Sequence, residues 1–181
     1  IHGVMVSDRV AALSMLPNRE TLASGPGYTY PPETLASLLP VFSRPTEISL
    51  EELRAFAPVT QEEYRAGLDW IAHPPAAPEG EKKPPVQDPV GLLLKILTAA
   101  RNYQAAGLYL LGRGPFDLTA IYFEGIDLVG HRFQHYRPAK LQMVCSEEYG
   151  EFQNVVTAYY LYQDRLLGEL VRKAGAETTV M

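Results

Sequence analysis

The residues best suited to chemistry in this 181-residue chain stand in one stretch, "DLTAIYFEGIDLVGHRFQHYRP", Asp117 to Pro138. There an apolar run gives way to Glu124, Asp127, His131 and His135, with Gly125 and Gly130 between them. On a helix or in a tight turn, the four-residue spacing of Asp127 and His131 brings a carboxylate and an imidazole within reach of one ion, and Gly130 allows a close backbone approach. Oxygen plus nitrogen donors suit zinc, and manganese or iron less selectively. A catalytic zinc takes about three protein ligands and keeps one position open, so at least one further donor has to come from elsewhere. The same residues have plainer uses. Asp127 can cap a helix beginning at Leu128 and leave His131 on its exposed face, because Asp-x-x-x-His is a frequent chance match. Glu124 either supports the loop through backbone amides or faces solvent. His135, one turn after His131, either contacts a substrate or stays on the surface, and the surface position is favoured.

The elements around this stretch must position it. Leu118 to Phe123 is apolar and β-prone on both faces, as in a central strand covered by helices. Before it, Val90 to Leu111 has helical spacing and is ended by Gly112, Gly114 and Pro115. After it, Glu151 to Ala174 carries one broad apolar stripe, with Arg172 and Lys173 in the last turn and Gly175 as the cap. "AETTVM", Ala176 to Met181, reads as a strand. Helix, strand, site loop, helix and strand predict an α/β fold containing a right-handed βαβ unit and a parallel sheet. Ligands bind beyond the carboxyl ends of such strands, which is where Asp127 and His131 stand.

Earlier in the chain, Val4 to Val6 reads as a short strand that hands over to a helix or loop, with Ser7 as an N-cap. Helices are expected over Glu33 to Leu39, Leu50 to Phe56 and Gln61 to Ala72. The last two open on capping boxes, Ser49 with Glu52 and Thr60 with Glu63. Trp70 belongs to the packing of its helix rather than to a ligand platform. His73 to Pro89 is too rich in proline for a regular helix and reads as a surface excursion, with a metal role for His73 disfavoured.

A content of 46% hydrophobic and 20% charged residues fits one soluble globular domain. A net charge of -5 and a pI near 5.4 argue against binding to a nucleic-acid backbone, although a nucleotide-sized substrate remains compatible. The single cysteine, Cys145, excludes an internal disulfide and reads as a small buried hydrophobe rather than a nucleophile. There is no apolar run of bilayer-spanning length and no signal-peptide pattern. "IHGVMVSD" at one end and "ETTVM" at the other both read as cut strands, so the chain is expected to be an internal piece of a larger α/β protein.

"YFEGIDLVGHRF" resembles the metal-binding strand and loop of the alkaline phosphatase superfamily, most closely its type I phosphodiesterase and nucleotide pyrophosphatase branch. "GVMVSDR" is similar to a family segment some way after the nucleophile, and "YYLYQDRLLGELVRKAGAETTVM" to the helix and strand before a Ser-Asp-His-Gly metal motif. The resemblance implies one incomplete domain over 1–181, a fragment of an alkaline-phosphatase-like parallel-sheet sandwich. Residues 1–17 would be a core strand and its following segment, 18–89 a variable cap-like helical and Pro-rich insertion, and 90–181 the core helix, strand, metal loop, helix and strand. It also implies two metal ions, usually zinc with manganese as the alternative, that hold a small phosphate ester, nucleotides included, while a Thr or Ser attacks phosphorus. Asp127 and His131 match two ligands of the ion that activates the hydrolytic water. Glu124 and His135 would then be substrate-side or supporting residues. The nucleophile and the remaining ligands have no counterpart here, which implies that the isolated chain is inactive. Relatives that cleave phosphomonoesters or sulfate esters, or that move a phosphoryl group within a sugar phosphate, share the same metal framework. A noncatalytic binding or structural module is the alternative from another class.

Overall fold

The computed structural model describes residues 3–16, 27–75 and 88–181, most of them helical. In chain order the helices are α1 (Arg9–Ser14), α2 (Thr34–Leu38), α3 (Leu50–Arg54), α4 (Gln61–Ala72), α5 (Pro89–Leu111), α6 (Gly125–Phe133), α7 (Ser146–Phe152) and α8 (Val155–Ala174). Two short strands, β1 (Met5–Val6) and β2 (Thr29–Tyr30), pair antiparallel with Met5 opposite Tyr30.

The centre of the fold is α5. Its start is set locally: the Asp88 carboxylate accepts the Gly91 amide at 2.6 Å, and Pro89 sits at the helix start, where a missing N–H costs nothing. Leu93, Leu94, Ile96, Leu97 and Ala100 are buried on more than one side of it, the pattern of a helix surrounded by others. Against α4 the approach is close enough that a Cβ on Gly67 would lie 2.9 Å from the Gly91 amide nitrogen, so glycines on both helices let the backbones meet. Trp70 closes the same crossing with its ring edge against Gly91. On the α8 side, the buried Gln104 donates to the Leu166 carbonyl at 3.1 Å. Asn102 pins the irregular chain before α3, accepting the Ser43 amide at 2.7 Å and donating to its carbonyl at 3.0 Å. A smaller apolar cluster joins Val10 and Leu13 of α1 to Leu35, Leu38, Phe42 and Ala106. Both capping boxes are formed as the sequence predicts, at Ser49 with Glu52 and at Thr60 with Glu63.

The expected parallel-sheet sandwich is not what the chain forms. Among the described residues the only sheet is the antiparallel β1–β2 pair. Leu118 to Phe123 has no regular secondary structure and no ladder partner. Its alternation explains the error: Ile121 packs at Gly107 and Phe123 lies edge-on to Tyr103, whereas Leu118 and Tyr122 are 77% and 75% exposed. The run therefore has one covered face, supplied by α5, where a central strand needs two covered faces and a partner at each edge. Ala176 to Met181 is likewise exposed and unpaired, and the Thr178 hydroxyl caps α8 by donating to the Ala174 carbonyl at 2.8 Å. The βαβ unit is thus replaced by an α-rich arrangement.

The helix expected over Glu151 to Ala174 is two, α7 and α8, broken at Gln153 and Asn154. Cys145 is exposed rather than buried, and its Sγ accepts the Glu148 amide at 3.4 Å at the start of α7. The Glu33 to Leu39 helix shortens to α2 followed by a 3-10 turn, Leu39–Val41, and the Leu50 to Phe56 helix stops at Arg54. The helix over Gln61 to Ala72 has the expected bounds. Ser7 serves the start of α1 by accepting the Arg9 amide at 3.1 Å, with Asp8 at the cap position. Most of the Pro-rich excursion and the first part of the expected 18–89 insertion, residues 18–26, lie outside the described residues. No helix among the described residues is long and apolar enough to cross a membrane.

Candidate functional site

Helix α6 carries the Asp127 and His131 pair, and its inward face fixes how it sits. Gly125, Val129 and Phe133 recur every fourth residue and are buried. Phe133 packs against Phe152 and Tyr136 with ring centroids 5.8 and 6.2 Å apart. Gly125 lies directly on the fully buried Tyr159, since an added Cβ would come within 2.6 Å of the ring carbon that bears the hydroxyl. With that stripe committed to the core, Asp127 and His131 project from the opposite side on successive turns.

His131 Nε2 and Asp127 Oδ1 are 3.3 Å apart, with side chains 74% and 65% exposed. Donors held at about 2.0–2.1 Å by one tetrahedral zinc lie about 3.3–3.4 Å from each other. The 3.3 Å separation of the pair is thus compatible with two positions around such an ion. Asp127 is not the cap of α6, which begins two residues before it, at Gly125. As the acid of the first turn, with His131 and Arg132 in the last, it complements the helix dipole. Gly130 is an ordinary helical residue whose φ is not positive, so its conformational freedom is unused; what it provides is open space beside His131.

The other two candidates do not join the pair. Glu124 accepts the Tyr103 hydroxyl at 3.3 Å, which ties the start of α6 to α5. Burial, followed by the nearby Glu124 carboxylate, holds the Tyr103 hydroxyl far above the ordinary tyrosine value. His135 lies exposed in a 3-10 turn, Gln134–Tyr136, its ring centroid 3.9 Å from that of Tyr136. Among the described residues no group of three or more His, Cys, Asp or Glu is placed to hold an ion. The described geometry supplies two donors, with Glu124 bonded to Tyr103 and His135 exposed beside Tyr136.

A second Asp-x-x-x-His pair stands at the end of α4. Asp69 and His73 close the end of α4 with Nδ1 2.9 Å from Oδ1 and both side chains about three-quarters exposed. That contact is hydrogen-bonded, whereas the longer Asp127–His131 contact is an ion-pair distance without hydrogen-bond alignment.

A cleft of about 260 Å³ lies between α5, β1 and the irregular segment before α6. Val4, Val6, Gly107, Leu110 and Ile121 make it mostly apolar, and Asp8 and Tyr103 supply polar groups. Through the Tyr103 hydroxyl it borders Glu124 and so the start of α6, but Asp127 and His131 do not line it. Comparisons of the chain with protein-family models, with curated proteins and with solved structures gave no match.

Proposed function

We propose that Asp127 and His131 are two ligands of one metal ion, zinc by donor type, in a metal-dependent phosphoric ester hydrolase of the phosphodiesterase and nucleotide pyrophosphatase kind. The nucleophile and the remaining ligands come from residues outside this sequence. The observation that carries the reading is the 3.3 Å separation of two exposed donors on one face of α6, the separation one tetrahedral ion imposes. The likeness of "YFEGIDLVGHRF" to a metal-binding loop supports it and names the substrate class, a small phosphate ester. When bound, such an ion lowers the pKa of its water and neutralises charge on the transferring group. The protein's own part is to hold the Asp127 and His131 side chains on one face of a helix fixed by Gly125, Val129 and Phe133.

Zinc titration calorimetry on the longer protein that supplies the remaining ligands tests the assignment, because two donors alone hold zinc only weakly. Asp127→Ala and His131→Ala each abolish the binding isotherm, while Asp69→Ala leaves it unchanged. In the longer enzyme that the reading requires, the same two substitutions abolish zinc-dependent phosphodiester cleavage. Unchanged metal content and turnover in both variants sinks the assignment.

A second reading, a noncatalytic binding or structural module, is favoured by the Asp69–His73 pair, which shows that this spacing also arises at a helix end as a plain surface contact. Equal zinc affinity in wild type and in Asp127→Ala, His131→Ala and Asp69→Ala decides for it.

A further inference from the structure

We infer that a second, metal-independent site binds a phosphate-sized oxyanion where α3, α5 and α8 meet, in a pocket that brings Arg101, Arg165 and the Tyr162 hydroxyl around one small space. The pocket has a volume of about 120 Å³, and Ile48, Phe56 and Leu97 form apolar walls. A charge beside such walls is screened less than one in open water.

The polar groups in it are not balanced among themselves. Glu52 is the one acid in the lining, against two guanidinium groups. Its two oxygens are already engaged: Oε2 accepts the Ser49 amide at 2.9 Å in the capping box, and Oε1 accepts Arg101 Nη2 at 2.6 Å. A guanidinium has five N–H donors in a fixed fork, and that ion pair takes one of them. Arg165 makes no ion pair with any described residue. The Tyr162 hydroxyl is shielded from solvent and lies against the Arg101 guanidinium, which can donate to its oxygen, but its own proton has no aligned acceptor. A shielded hydroxyl proton without an acceptor is uncommon in folded proteins, and an oxyanion in the pocket would accept it.

One surplus positive charge and donors from three side chains on two helices define the ligand by chemistry. Arginine forks match the oxygens of phosphate and carboxylate. Donors converging from Arg101, Arg165 and Tyr162 occupy three oxygens, which a tetrahedral phosphate presents and a carboxylate does not. The site owes nothing to Asp127 and His131, and it stands or falls independently of the metal reading.

The test is titration calorimetry of the whole chain with inorganic phosphate in the presence of a metal chelator, and with acetate as a two-oxygen probe. Saturable phosphate binding is expected, with acetate at least about tenfold weaker. Arg165→Gln, at an exposed position that leaves the Glu52–Arg101 pair intact, weakens phosphate about tenfold through loss of a charge-assisted bond. Tyr162→Phe weakens it roughly three- to fivefold through loss of a neutral donor. Asp127→Ala binds phosphate as the wild type does, and circular dichroism confirms the fold of each variant. Absence of saturable binding, acetate binding as tight as phosphate, or affinity unchanged in both pocket variants overturns the inference.

Discussion

Gly125 and Gly130 lie five residues apart in α6, and replacing each by alanine is expected to move stability in opposite directions. Taken alone, the helical preference of alanine over glycine favours both substitutions by about 0.5–1 kcal/mol. At Gly130 nothing lies within 4 Å of the added methyl, so this preference acts unopposed. At Gly125 the methyl would meet the Tyr159 hydroxyl and come within 2.6 Å of the ring carbon behind it. Tyr159 is fully buried and packs beside Tyr162, so its ring has nowhere to swing, and α6 must lift instead. Overpacking of this kind costs about 1–3 kcal/mol, which outweighs the propensity gain. For a chain of this size about 1 kcal/mol moves Tm by roughly 2–4 °C, so Gly125→Ala, at a net cost of up to about 2.5 kcal/mol, lowers Tm by up to about 10 °C while Gly130→Ala raises it by about 1–4 °C. Thermal denaturation followed by circular dichroism reads both. A Tyr159→Phe background removes the hydroxyl but keeps the ring carbon, so the Gly125→Ala penalty shrinks there without vanishing. Because Asp127 and His131 ride on the same helix, their separation survives a shift of α6, and zinc affinity is unchanged in both glycine variants. A Tm for Gly125→Ala at or above the wild type, or a penalty identical in the Tyr159→Phe background, refutes the close contact on which the placement of α6 rests.

Glu151 supplies a pH prediction. Burial first, and then the nearby Glu63, Asp88 and Glu148 carboxylates, push its carboxyl above the ordinary glutamate range. A folded-state value raised above the unfolded one means that the folded chain holds this proton more tightly, so ionisation near neutral pH costs stability. Glu151→Gln therefore raises Tm at neutral pH, and the gain disappears below the ordinary glutamate value of about 4.3, where the carboxyl is protonated in both states. Denaturation across that pH range reads the sign, and a variant less stable than wild type at neutral pH refutes it. Asn102→Ala removes both bonds to Ser43 and leaves a part-buried amide unpartnered, at a cost of about 1–3 kcal/mol in urea denaturation. A loss under about 0.5 kcal/mol shows that water replaces the side chain there.

What could be read from the sequence was whatever three or four consecutive residues decide. A capping box closes over one turn, so Ser49 with Glu52 and Thr60 with Glu63 announce their helices without reference to the rest of the chain. The Asp127–His131 pair is equally local, because any helix through that stretch sets the two side chains on one face. Leu118 to Phe123 was misjudged for the opposite reason. Whether such a run becomes a central strand depends on partners at both edges, and no window of its own residues specifies them. The contact of Gly67 with Gly91, and that of Gly125 with Tyr159, are set by how helices cross and leave no local mark beyond an unexplained glycine. The same distinction separates the two proposed sites. The metal pair is visible in five residues and correspondingly easy to match by chance, as Asp69 and His73 demonstrate. The oxyanion pocket needs Arg101 from α5 to meet Tyr162 and Arg165 from α8, and only the folded chain brings them together. A convergence across that separation has fewer chance counterparts than a four-residue spacing. Loss of phosphate binding in Arg165→Gln would therefore say more about what the fold is built to do than loss of zinc in Asp127→Ala.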